Sequence, residues 1–212
     1  MAPTTGPHAT DSKALADGLM LGSFRGVVLV FGRGYYRDTM GRPGQNDRGI
    51  LDDALVALAI DGADIDAFST FNANTDSTRT GLRPDGQAGL AQLVETTKGG
   101  VYRYQLGIHT PSKPNRRPAL VQHGPVTINR DGADTTRAGR IETGFFGINI
   151  HNLIGSTTGS EGCQTLTPEQ MQELLAFVRR WTRELGNPVV QVVLVTEEER
   201  RAWAAEPGSI LA

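Results

Sequence analysis

The stretch GVYRYQLGIHT, residues 100–110, decides the fold class, because its side chains alternate in character. Apolar or aromatic residues stand at every second position from Tyr102 to Ile108, and polar residues or glycine stand between them. Alternation over this length is typical of a β-strand with one buried face. The segment therefore predicts a strand, and with it a sheet that has a core on one side.

Working outward, the same reasoning predicts six further strands and three helices. The strands are predicted at 27–31, 66–74, 118–123, 124–132, 140–152 and 187–196, the last of them central in its sheet, and the helices at 46–62, 167–185 and 196–205. Thr167 and Thr196 are the predicted N-caps, and Pro168 occupies the first helical position of its helix. Residues 72–90 read as an irregular loop. The pattern predicts a mainly β fold with added helices, of the α+β class.

Length and composition limit the function classes. The chain has 212 residues, 38% hydrophobic content and a formal net charge of −2, so one domain (21–212) is expected after a polar lead (1–20). This charge gives no reason to expect nucleic acid as a partner. The lead has no secretory signal pattern and no apolar run is long enough to span a membrane, so we expect synthesis in the cytoplasm and no membrane insertion.

The motif of chemical interest is FFGINIHNLIGSTTGSEGCQTL, residues 145–166. His151 ends a predicted strand, a Gly/Ser/Thr-rich loop follows, and Cys163, the only cysteine, comes after Gly162. A thiol becomes a nucleophile when a nearby base or a favourable field produces the thiolate. The position of Cys163 in a turn ahead of a helix predicts an accessible thiol of low pKa with His151 as its base.

This motif resembles the L,D-transpeptidase catalytic domain, also called the YkuD domain, in which a strand-end His, a Gly/Ser/Thr-rich loop and a Ser-x-Gly-Cys turn follow one another. INIHN and SEGC carry the resemblance. The family usually has a histidine between the Ser and the Gly, where this chain has Glu161, and an arginine soon after the Cys, where this chain has Gln164. The resemblance implies a β-sandwich or barrel core, a Cys nucleophile, a His base and peptidoglycan stem peptides as substrate. We expect no cofactor and no metal for this enzyme.

The remaining site residues are assigned from chemistry. The Gly162 N–H, with that of Cys163, is the predicted oxyanion donor, and Asn152 or a backbone carbonyl is the predicted orienter of the imidazole. Substrate contacts are expected from Ser160, which could equally brace the turn, and from His109. Tyr35 and Tyr36 complete the predicted substrate-binding set.

Three functions remain open from the sequence. The first is a cysteine-dependent stem-peptide enzyme, a transpeptidase or a carboxy- or endopeptidase, that acts through a thioester. It would reach the periplasm or cell wall by a phage holin or a delivery machinery. The second is a non-catalytic cell-wall or phage structural module. The third is a metal hydrolase that uses His109, His123 and His151. The pair Arg116 and Arg117 reads as a solvated turn.

Overall fold

The computed structural model describes residues 23–47, 49–62, 64–77, 91–110, 113–114, 116–130, 140–153, 158 and 160–205. Within them, the strands are β1 (Arg25–Arg33), β2 (Asp53–Asp61), β3 (Asp64–Ala73), β4 (Gln92–Leu93), β5 (Tyr102–His109), β6 (Arg117–Gln122), β7 (Val126–Arg130), β8 (Arg140–Gly144), β9 (Ile150–Asn152), β10 (Gln164–Leu166) and β11 (Val190–Thr196). The helices are α1 (Thr96–Gly99), α2 (Pro168–Glu184) and α3 (Glu197–Ala205). The predicted lead, 1–20, and most of the predicted loop, 72–90, lie outside the described residues.

A large mixed sheet of eight strands has the order β10-β9-β6-β5-β11-β1-β2-β3. The pairs β1–β11 and β9–β10 are parallel and the other pairs are antiparallel. β11 lies between β5 and β1, so the prediction of a central strand at 187–196 is confirmed. A second sheet of three strands has the order β4-β7-β8. The prediction of a mainly β fold with added helices is thus confirmed.

The two edges of the large sheet meet at one point. Asn74, just after β3, forms a bridge with Thr165 of β10 through two backbone hydrogen bonds of 2.8 and 2.9 Å. The sheet therefore curves back on itself, and the end of β3 lies beside the strand that follows Cys163. This contact brings the two regions of chemical interest described below into one half of the fold.

The main core lies between the sheet and α2. Thr167 caps this helix by accepting the Gln170 N–H, and Pro168 opens it, as the sequence predicts. The buried stripe of the helix is Met171, Leu174, Leu175 and Val178. At the N-terminus of α3, Thr196 and Glu199 exchange side-chain-to-backbone hydrogen bonds in a capping box, which confirms the predicted cap. No helix among the described residues has the length and apolar character needed to cross a membrane.

The predicted helix at 46–62 is wrong, because residues 53–61 form strand β2. β2 lies between β1 and β3, and Ala54 to Ile60 are buried on both faces of the sheet. A strand buried on both faces reads as a continuous apolar run, which periodicity alone does not distinguish from a buried helix. Gly62, at a φ of +68°, turns the chain into β3 rather than ending a helix.

The predicted single strand at 140–152 is two strands in different sheets. β8 belongs to the small sheet and β9 to the large one. The Gln122 side chain holds the segment between them: its Oε1 accepts the N–H groups of residues 146–148 at 3.1 to 3.3 Å, and its Nε2 donates to Gly144 O at 2.7 Å. The chain crosses between the sheets here, so Asn149 and His151 reach the large sheet in a fixed position.

Candidate functional site

The parallel pairing of β9 with β10 brings Cys163 next to the strand that carries His151. Gln164 is opposite Ile150 and Thr165 is opposite His151 in this pair. The Gln164 N–H also donates to Asn149 O at 3.0 Å. Cys163, just before β10, therefore lies beside Asn149. The twelve-residue separation between His151 and Cys163 is closed by strand pairing.

A second imidazole, that of His109, completes a compact cluster. His109 ends β5, which is two strands from β9 in the sheet order, and its ring stacks on that of His151 with centroids 4.2 Å apart. One ring nitrogen from each histidine and Cys163 Sγ all lie within 4.8 Å of one another. Two imidazole nitrogens and a sulfur form a donor set that also suits zinc. This group can serve either as a nucleophile with its bases or as a metal site.

The Cys163 thiol is nearly buried, with 9% of the residue exposed. Its Sγ accepts the Asn149 N–H at 3.3 Å and donates to Gly147 O at 3.5 Å. Burial raises the pKa of the thiol to about 11, although the Asn149 hydrogen bond opposes the rise. The prediction of an accessible thiol of low pKa is therefore wrong. The physical reason is that β10 separates Cys163 from α2, so the turn does not lie at the helix start.

His151 is buried and held in one tautomer. Its Nδ1 is 2.8 Å from Asn152 O, and a carbonyl oxygen only accepts, so Nδ1 carries the proton and Nε2 offers its lone pair. Burial lowers the pKa of the ring, and the hydrogen bond to Asn152 partly offsets this. The predicted orienter, Asn152, thus acts through its main chain, since its side chain donates to Leu153 O.

His109 has the complementary tautomer. Asn149 Oδ1 accepts the Gln122 N–H at 3.0 Å, which fixes the orientation of the amide. Asn149 Nδ2 then donates to His109 Nδ1 at 2.9 Å, so the proton of His109 is on Nε2. Burial, followed by the charges of His151 and Arg117, lowers the pKa of His109 to about 4. Both imidazoles are neutral at pH 7, one with a basic nitrogen and one with an N–H to donate.

Ser160 and Gly162 shape the turn that precedes Cys163. Ser160 Oγ donates to Cys163 O at 2.7 Å and accepts the Gly162 N–H at 2.9 Å. Ser160 is buried and braces the turn, which was the alternative to its predicted substrate contact. The Gly162 N–H is engaged by Ser160 in this structure, and its role as an oxyanion donor stays a prediction. The N–H that faces the sulfur belongs to Asn149, a residue that sequence reasoning missed.

Arg117 is a second missed residue. It begins β6 directly opposite His109, so its side chain leaves the same face of the sheet. Its charge influences the pKa of His109, His151 and Cys163. Its Nε is buried and has no hydrogen-bond partner among the described residues. The prediction of a solvated turn is therefore wrong for Arg117, which adds a positive charge to the cluster.

Other predicted residues lie elsewhere. Tyr35 and Tyr36 follow β1 and contact each other edge to face, and the Arg200 guanidinium lies over the Tyr35 ring. Tyr36 is buried, and the pair packs against the domain. Neither ring is among the side chains described above around Cys163. His123 is exposed. The group that could hold a metal ion consists of His109, His151 and Cys163, without His123. The predicted three-histidine set is thus wrong.

A second titratable cluster lies on the β3 side of the bridge between Asn74 and Thr165. Asp52 and Asp53, at the start of β2, and Asp76, after β3, place carboxylate oxygens within 4.8 Å of one another. All three residues are buried. Burial and the neighbouring Asp76 charge raise the pKa of Asp53 well above its usual range, and burial raises that of Asp52 to about 6.

The sequence matches no protein-family model, and no curated protein and no solved structure is significantly similar to it.

Proposed function

We propose that the chain is a cysteine enzyme that acts on the stem peptides of peptidoglycan through a thioester. The observation that supports this most directly is the approach of Cys163 Sγ to the ring nitrogens of His151 and His109 within 4.8 Å. Nucleophile, base and a carbonyl that orients the base are the three parts that covalent acyl transfer requires. The substrate class comes from the resemblance of residues 145–166 to the L,D-transpeptidase domain.

The tautomers assign a role to each histidine. Since the thiol and both imidazoles are neutral at rest, His151 Nε2 takes the proton as Cys163 Sγ forms its bond to the peptide carbonyl carbon. The negative charge then develops on the carbonyl oxygen, to which the His109 Nε2–H can donate, and the Asn149 N–H, which donates to Sγ at rest, would have to turn from the sulfur to this oxygen. His151 returns the proton to the leaving amine, and the thioester remains. Water as the acceptor makes a hydrolase, and an amine makes a transpeptidase.

Arg117 supplies the cation for an anionic part of the substrate. A guanidinium binds a carboxylate through paired N–H groups, and the buried Arg117 Nε is a donor that lacks a partner in the described part of the chain. Stem peptides end in free carboxylates. We infer that Arg117 orients such a group next to Cys163. Arg117→Lys keeps the charge but not the fork, so it should raise KM more than it lowers kcat.

Digestion of purified sacculi tests the proposal. Released muropeptides are analysed by mass spectrometry, which shows whether a bond is cut or made. Wild-type protein should change the muropeptide profile, Cys163→Ala should not, and the exposed residue change His123→Ala should behave as wild type. A non-catalytic wall-binding module would instead bind sacculi equally with and without Cys163 and leave the muropeptides unchanged.

A second candidate function follows from the same cluster. His109, His151 and Cys163 resemble a two-histidine, one-cysteine zinc centre that keeps a fourth position for water. His151 donates its Nδ1–H to Asn152 O, as metal-ligating histidines do. His109 accepts at Nδ1, so its proton would have to move to Nδ1, with the Asn149 amide reversed, before Nε2 could bind a metal. Chelation separates the candidates, because it should abolish zinc-dependent hydrolysis and leave thioester chemistry intact.

A further inference from the structure

Five of the six carboxylate oxygens of Asp52, Asp53 and Asp76 accept hydrogen bonds from amide groups. Asp53 accepts the N–H groups of Gly34 and Thr75, both at 2.6 Å, and Asp52 Oδ2 accepts that of Asp47 at 2.7 Å. The Asp76 oxygens accept from the side-chain amides of Asn46 and Gln92. The sixth oxygen, Asp52 Oδ1, is buried and has no partner among the described residues.

These amide donors orient the carboxylates without neutralising them. The cation beside them is Arg33, whose Nε is 3.3 Å from Asp76 Oδ1. Arg33 is also committed to Glu95, with its NH1 2.5 Å from Glu95 Oε1. Among the described residues, Arg33 is the cation paired with this cluster, and it is shared between Asp76 and Glu95, whereas a buried charge is costly unless it is paired.

A second buried oxygen without a partner among the described residues belongs to Asn74, whose side-chain amide is hydrogen-bonded to the backbone of Asp76. Asn74 is fully buried, its Nδ2 donates to Asp76 O at 2.8 Å, and its Oδ1 has no hydrogen-bond partner in the described part of the chain. These two buried oxygens, which have no partner among the described residues, thus belong to Asp52, a member of the cluster, and to Asn74, whose amide holds the backbone of another member, Asp76. Oxygen ligands and negative charge together are what hard divalent cations require.

We propose that Asp52, Asp53 and Asp76 bind one divalent cation, with Ca²⁺ preferred. Ca²⁺ accepts irregular sets of oxygens at about 2.3 to 2.6 Å, so ligands on opposite sides of the ion are roughly 5 Å apart, which fits oxygens within 4.8 Å of one another. Mg²⁺ demands near-octahedral geometry and retains waters, for which a fully buried group is less suited. The ion would fasten the start of β2 to the segment after β3, next to the bridge with β10.

Thermal unfolding of the full chain, treated with chelator and then titrated with CaCl₂ or MgCl₂, tests this. Wild type should gain about 5 °C or more in Tm at saturating Ca²⁺. Calorimetric titration should give one Ca²⁺ per chain. Asp52→Asn should lose this response, whereas Asp66→Asn, an exposed acid on β3, should keep it. Cys163→Ala should also keep it, which separates this site from the cysteine cluster.

Absence of Ca²⁺ binding by the chelator-treated wild type would overturn the proposal and indicate that protons neutralise the carboxylates. Retention of the full Tm response in Asp52→Asn would overturn the assignment to this cluster. If Asp52→Asn does not fold, Asp76→Asn takes its place. The wild-type stoichiometry must still be one, and a value of zero would contradict the proposal by itself.

Discussion

Replacing Gly162 by alanine should distort the turn that holds Cys163, because the turn has no room for a side chain. A Cβ at this position would be 2.1 Å from Ala91 O and 2.8 Å from Ile148 Cδ1. Gly162 also has a φ of +150°, which L-residues rarely adopt. Its neighbour Glu161 accepts the Ala91 N–H at 2.7 Å, so the clash is with backbone that is already anchored to the turn.

The expected loss combines two terms. The backbone conformation costs about 1 to 3 kcal/mol for a non-glycine residue. The close contacts cost about another 1 to 3 kcal/mol, as overpacking does elsewhere. Gly162→Ala should therefore lower the free energy of unfolding by roughly 2 to 6 kcal/mol, a large part of the 5 to 15 kcal/mol that domains typically have.

Gly186→Ala is the matched control. Gly186 has a φ of +69° after α2, and an added Cβ there would have no atom within 4 Å, so only the conformational cost of about 1 to 2 kcal/mol applies. Urea unfolding, followed by the fluorescence of the partly buried Trp181, measures both variants. Equal losses in the two variants would refute the reasoning, because the contact with Ala91 would then cost nothing.

Three further predictions follow from the same geometry. His151→Gln should lower the rate of thioester formation about a hundredfold or more, whereas Glu161→Gln, at an exposed position, should retain most activity in the sacculus assay; the reverse ranking would reject His151 as the base. Arg33→Met should lower the free energy of unfolding by about 3 to 5 kcal/mol, because it leaves Glu95 and Asp76 buried without a cation. Arg25→Met, which breaks an exposed pair with Asp61, should lower it by less than about 1 kcal/mol, and similar losses would contradict this account. Because the pKa of His109 is about 4 in the folded chain and 6.5 unfolded, the unfolded state binds the proton first and stability falls as pH drops from 6.5 towards 4. Asp52, whose pKa is raised, makes stability change in the opposite direction, so wild type must be compared with His109→Gln. In urea unfolding, His109→Gln should lose less free energy of unfolding than wild type over that pH range. Identical dependence of stability on pH in the two proteins would refute the prediction.

The sequence was sufficient to predict the elements whose pattern depends only on residues close to one another in the chain. The alternation from Tyr102 to Ile108 and the capped, striped helix at 168–184 depend on nearby residues, and both predictions are confirmed. The prediction of a helix at β2 failed because the apolar run of this strand is explained only by its two neighbours in the sheet, β1 and β3. Asp52 and Asp53 fall inside the helix predicted at 46–62, whereas the structure buries them at the start of β2.

The site residues also divide into those whose proximity follows from the order of the chain and those that only the sheet order brings together. His151 and Cys163 are joined by one loop and one strand pair, so their proximity could be predicted from the order of residues along the chain. His109 and Arg117 reach the site only through the order β5-β6-β9, which pairing across the sheet decides. The raised pKa of Cys163 was missed because burial is a tertiary property.

Asn149 connects the two parts of the site. Its amide, oriented by the Gln122 N–H, fixes the tautomer of His109, while its own N–H contacts Cys163 Sγ and its carbonyl holds the first residue of β10. Gln122 in turn holds the segment that delivers Asn149. Cys163 and His109 therefore depend on one residue. A change at Gln122, which holds the whole segment, should disturb Cys163 and His109 together. A side-chain change at Asn149 should reach His109 first, and one at Asn152 should leave the backbone hydrogen bond to His151 in place.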